Sequence, residues 1–110
     1  MNIKKILKSS VTGMLISCVV LSQSVNAASC SELITKVISH SSGNIYFYTD
    51  KTCPNWCMLP GNSAFATQSY AMLMVAQAKK RPLLIAWPNL PSCEHKNELY
   101  AVPDYFVAGD

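Results

Sequence analysis

Two histidines, four glycines and few charged residues are little to build an enzyme from. No serine sits in a G-x-S-x-G elbow. His40 and His95 both fall in polar, turn-like stretches and read as exposed loop residues. Asp50, Glu94, Glu98 and Asp104 show no spacing that argues for an acid/base pair. Basic charge is also missing where it would matter. Without Lys4, Lys5 and Lys8, the cations Lys36, Lys51, Lys79, Lys80, Arg81 and Lys96 face Glu32, Asp50, Glu94, Glu98, Asp104 and Asp110. That balance gives no electrostatic footprint for nucleic acid.

The first residues carry a recognisable signal. Lys4, Lys5 and Lys8 precede the apolar run VTGMLISCVVLSQ, and Val25 and Ala27 occupy the small-residue positions of a cleavage site. This pattern predicts a secretory signal peptide over 1–27 and export to the periplasm or the exterior. The run is too short and interrupted for a membrane span, which needs about 20 apolar residues. Leu15-Ile16-Ser17-Cys18 resembles a lipobox that would place a lipid on Cys18. It ranks second, because apolar residues continue beyond Cys18 and an ordinary cleavage site follows. Residues 28–110 then form a single domain of about 83 residues, a size at which extra staples are common. Cys30, Cys53, Cys57 and Cys93 remain, an even set that predicts two disulfides with three connectivities open.

Within 33–48, β-branched and aromatic residues flank Ser41-Ser42-Gly43-Asn44, predicting two strands around a turn. In the second strand Ile45 and Phe47 share one face, Tyr46 and Tyr48 the other. Residues 56–59 read as a short third strand, stopped by Pro60-Gly61, with Trp56 as a core residue. Asn62 or Ser63 caps a helix reaching about Lys80, rich in Ala, Met, Leu and Gln. Lys79-Lys80-Arg81 complements its C-terminal dipole and Pro82 ends it. Residues 83–87 form an apolar strand. Residues 98–102 and 105–107 make a last extended stretch broken by Pro103. The order β-β-β-α-β-β predicts a mainly β fold with one helix, a small five-stranded oligonucleotide/oligosaccharide-binding-type (OB-like) barrel. The alternative is an α+β sandwich with the helix on one sheet face.

Cys53, Trp56, Tyr70, Leu73, Ala76, Cys93 and Glu98 fall in a pattern that resembles a group of small exported bacterial proteins. That group has a cysteine and an aromatic, a Tyr-x-x-Leu helix, a strand, a second cysteine and a final strand. The segment YAMLMVAQAKKRPLLIAWP is similar to the helix-to-strand region of pertussis-type and heat-labile-type toxin B subunits. Together the resemblances span roughly residues 53–107 and imply an OB-type barrel that assembles in rings and binds glycans. They also imply a Cys53–Cys93 bridge, which leaves Cys30 for Cys57. A Cys53–Cys57 bridge would close a short loop with little entropic gain.

Competing chemistry ranks lower. Cys53-Pro54-Asn55-Trp56-Cys57 has one residue too many for a thioredoxin-like centre and no helix after it. Cys53, Cys57, Cys93 and His95 have ligand types suited to zinc, but exported thiols oxidise and the Cys93-x-His95 spacing is unusual. No cofactor is expected. The functional expectation is a non-enzymatic exported binding module for a glycan or envelope partner. Its ligand candidates are the aromatics Tyr46, Tyr48, Trp87, Tyr100 and Tyr105. A homo-oligomer is expected through residues 71–76, AMLMVA, where the helix from Ala71 to Ala76 is apolar all round. A small envelope enzyme inhibitor or immunity-type protein is the alternative.

Overall fold

A computed structural model describes residues 27–109. The signal-peptide reading, but for Ala27, and the Cys18 lipidation reading lie outside the described residues. The chain runs β1 (Ala28–Glu32), β2 (Ile34–Ser39), β3 (Ile45–Thr49), β4 (Cys57–Leu59), α1 (Ala64–Lys79), β5 (Leu83–Trp87) and β6 (Tyr105–Val107). It is mainly β with one helix. The expected five-stranded barrel is corrected: the strands form two antiparallel sheets, ordered β1-β5-β6 and β2-β3-β4, with no closure between them.

Two local causes underlie the difference. β1 was not expected, because Ala-Ser-Cys-Ser-Glu looks polar. It nevertheless alternates, with Ser29 and Ser31 outward and Cys30 and Glu32 buried. Residues 98–102, expected to extend, form no strand, and Tyr100 there has a left-handed φ of 66°. They run beside β4 instead, where Met58 N–H donates to the Ala101 carbonyl at 2.9 Å.

Leu33 alone separates β1 from β2, so the chain passes from one sheet to the other in a single residue. The corner is satisfied by Asp50: Leu33 N–H donates to its Oδ1 at 2.9 Å, and Asp50 N–H donates to the Leu33 carbonyl at 3.1 Å. Just beyond it the β2–β3 register shifts between Ile34 and Lys36. The Thr35 carbonyl at this irregularity accepts from Gln77 Nε2 at 3.3 Å, tying the helix to β2.

The helix begins where expected, with the Ser63 hydroxyl accepting from Ala66 N–H at 3.1 Å. It closes in a Schellman arrangement. Lys80 adopts φ 53°, its N–H donates to the Gln77 carbonyl, and Arg81 N–H reaches the Ala76 carbonyl. The core lies between the sheets, where Phe47 of β3 stacks on Trp87 of β5 at 6.3 Å and meets Phe106 of β6 edge-on at 5.7 Å.

The expected disulfide pairing is also corrected. Cys30 bonds Cys93 and Cys53 bonds Cys57, with Cα–Cα separations of 5.6 and 5.8 Å. Once Cys30 lies on a strand paired with β5, the loop that follows β5 brings Cys93 back over it. Cys93 Sγ lies 3.5 Å from the Ser29 carbonyl oxygen. Trp56, at φ 139°, reverses the chain so that Cys53 and Cys57 both turn inward, which leaves neither for a distant partner.

The turn between β2 and β3 locks against residue 61. Asn44 Oδ1 accepts from Gly61 N–H at 2.8 Å. A Cβ on Gly61 would lie 2.4 Å from the Gly43 carbonyl carbon and 2.6 Å from its oxygen, both backbone atoms unable to swing aside. Gly61→Ala is therefore expected to cost about 2 kcal/mol by forced displacement of the turn. A thermal melt should show Tm lower by roughly 10 °C, and an unchanged Tm would refute the contact.

Candidate functional site: an aromatic platform beside a polar recess

Alternation along β3 sends Ile45, Phe47 and Thr49 inward and leaves Tyr46 and Tyr48 half-buried on the outer face of the β2-β3-β4 sheet. There they meet rings from three other segments. Tyr46 lies 6.2 Å from Trp56, 5.8 Å from Tyr100 and 5.9 Å from His40, centroid to centroid. Tyr48 meets Trp56 edge-on at 5.7 Å, and Trp56 lies 6.1 Å from Tyr100. Lys36, opposite Tyr48 on β2, holds its Nζ 5.3 Å from the centre of that ring. The Tyr46 hydroxyl accepts from Asn44 Nδ2 at 3.2 Å.

Two members of this platform occupy backbone conformations that L-residues avoid: Trp56 at φ 139° and Tyr100 at φ 66°. They also hold each other, because Tyr100 N–H donates to the Trp56 carbonyl at 3.2 Å. Trp56 Nε1 is buried and has no hydrogen-bond partner among the described residues. An orphaned indole N–H is costly and uncommon.

Tyr100 is 47% exposed, and its other side borders a recess of about 530 Å³ lined by His95, Asn97 and Glu98 as well as by Leu90 and Pro91. The loop forming it is fastened at several points. Asn97 N–H donates to the Thr52 carbonyl at 2.7 Å, Lys96 Nζ to the Lys51 carbonyl at 2.6 Å, and the His95 ring shares a 2.8 Å hydrogen bond with Ser92.

Of the five aromatic candidates, the structure brings Tyr46, Tyr48 and Tyr100 together. Trp87 is buried in the core, donating through Nε1 to Glu32 Oε2 at 2.9 Å, and it also borders the recess beside Tyr100. Tyr105 is exposed but lies on β6, in the other sheet. Trp56, expected in the core, is a half-buried member of the platform. No sequence signal places Trp56 beside Tyr100.

Glu32 is the buried residue that sequence reading missed. Its carboxylate is fully enclosed and accepts from Thr49 Oγ1, Thr52 N–H, Thr52 Oγ1 and Trp87 Nε1 at 2.6 to 3.0 Å. Enclosed on all sides, it organises the fold around the site and does not face a ligand. His40 and His95 are both exposed, as expected. Among the described residues no three His, Cys, Asp or Glu side chains cluster as metal ligands. No helix there is long and apolar enough to cross a membrane. The two disulfides are consistent with an oxidising, exported environment. Comparison with protein-family models, with curated proteins and with solved structures finds no match.

Proposed function

We propose that this protein is a non-enzymatic binding module whose ligand is a saccharide, held by the aromatic platform and the recess beside it. A sugar ring presents C–H faces that stack on aromatic surfaces and hydroxyls that need both donors and acceptors. The observation that carries this reading is Tyr100, an exposed ring in a left-handed conformation that joins the aromatic cluster to the polar recess. Glu98 and the Asn97 amide oxygen supply acceptors, the His95 ring supplies a further polar partner, and the Tyr100 ring supplies the stacking face.

A glycan array probed with the disulfide-bonded protein tests this directly. Wild type should bind a defined subset of saccharides. Tyr100→Ala should weaken the best of them at least tenfold, about 1.4 kcal/mol, while Tm moves by no more than a few degrees. An array with no specific binding, or a Y100A variant that binds like wild type, rejects the site.

A further inference from the structure

An open groove runs along helix α1, and its lining has a different chemistry from that of the recess. Helix α1 buries one stripe, Ala66, Ser69, Leu73 and Ala76. The neighbouring stripe of Ala71, Met72 and Val75 walls an open groove of about 630 Å³, within the range of small-molecule sites. Pro82 and Leu83 at the start of β5, with residues 108–109 after β6, form the facing wall. Val75 stands 53% exposed at the lip, uncovered apolar surface where an ordinary helix would turn a polar side chain to water. Met72 adds an unbranched, adaptable wall suited to a flexible apolar guest.

Among the described residues, the charges lining this groove are all of one sign and at one end. Lys79 closes the last turn of the helix, and the left-handed Lys80 turns the chain so that Arg81 lines the same groove. No acidic side chain lines it among the described residues. From Ala71 to Lys79 the wall runs about 12 Å at 1.5 Å per residue, apolar until the cations are reached. We infer that the groove binds a free single-chain anionic amphiphile of the medium-chain carboxylate class, its chain along Ala71, Met72 and Val75 and its carboxylate between Lys79 and Arg81. A carbohydrate would find no aromatic face and no neutral polar side chain here. A second copy meeting this face isologously would bring a second Lys79 and Arg81 to a lining that, among the described residues, offers them no carboxylate.

Titration with decanoate, below its micellar concentration, against decyltrimethylammonium tests the assignment. Decanoate should bind saturably with one site and at least tenfold more tightly than the cationic amphiphile. Lys79→Gln/Arg81→Gln should erase that preference, and Val75→Glu, at an exposed position, should abolish binding with the fold intact by circular dichroism. Tyr100→Ala should leave decanoate affinity unchanged, which separates this site from the saccharide site. Absence of saturable binding, equal affinity for the two amphiphiles, or unaltered decanoate binding by V75E would each overturn the inference. So would light scattering that shows a dimer dissociated by V75E, because the groove would then be a self-interface.

Discussion

Replacing Glu32 with alanine should leave no stably folded protein at room temperature, and replacing it with glutamine should lower stability by about 2–4 kcal/mol. The difference lies in how its hydrogen bonds are directed. Cys53 N–H donates to Thr49 Oγ1 and Asn97 Nδ2 donates to Thr52 Oγ1. Both hydroxyls therefore have their protons free for Glu32, and Glu32 acts only as an acceptor. Alanine would orphan four donors in a dry core at about 1–3 kcal/mol each, on top of the cavity it leaves. That total matches or exceeds the stability of a domain this size. Glutamine can keep its oxygen toward Thr49 and Thr52 N–H. Its amide nitrogen must then face Trp87 Nε1, and an indole N–H can only donate. Thr52 can reverse its hydroxyl only against the donor already supplied by Asn97. Urea denaturation of E32Q followed by Trp fluorescence would measure the loss, and a change below about 1 kcal/mol would show that the network is dispensable. The same carboxylate joins β1 to the 49–53 turn and to β5, so its loss should uncouple the two sheets together.

Glu32 also shows where sequence reasoning stops. Ser63 as N-cap, the helix that follows it, the turn before Ile45 and the apolar strand at 83–87 are written in local propensity and periodicity, and the structure has them. β1 has the same period-two alternation. Its inward positions, however, hold a cysteine and a carboxylate, and a buried acid is invisible to any hydrophobic pattern until its partners are placed. Without β1, Cys30 has no strand neighbour, so its bridge to Cys93 is not legible in the sequence. The candidate site divides along the same line. Tyr46 and Tyr48 face outward by simple alternation. Trp56 and Tyr100 join them through positive φ angles and a hydrogen bond across 44 positions, which only the assembled chain determines.

The two disulfides should differ in what they stabilise. Cys30–Cys93 spans 63 positions and Cys53–Cys57 spans 4, so the chain-entropy contributions are about 4 and about 2 kcal/mol. Packing works the other way: both sulfurs of the short bridge are buried, whereas Cys93 is exposed, so removing the short bridge loses more core contact. Cys30→Ala/Cys93→Ala is expected to cost about 5 kcal/mol and Cys53→Ala/Cys57→Ala about 4. Their urea dependence separates them. Opening the long loop lets the denatured chain expand, so C30A/C93A should show a steeper m-value, while C53A/C57A should keep that of wild type. Exposure predicts the order of reduction as well. Under mild phosphine treatment of the native protein, Cys93 should be alkylated first, with the buried Cys30, Cys53 and Cys57 protected until the domain opens. Loss of the short bridge carries a further effect, because it frees the turn that holds Trp56 at φ 139°. Saccharide binding should therefore fall in C53A/C57A even where the protein is folded, and persist in folded C30A/C93A. An unchanged m-value with a loss under about 2 kcal/mol in C30A/C93A, or alkylation of Cys53 and Cys57 first, would contradict this division of labour.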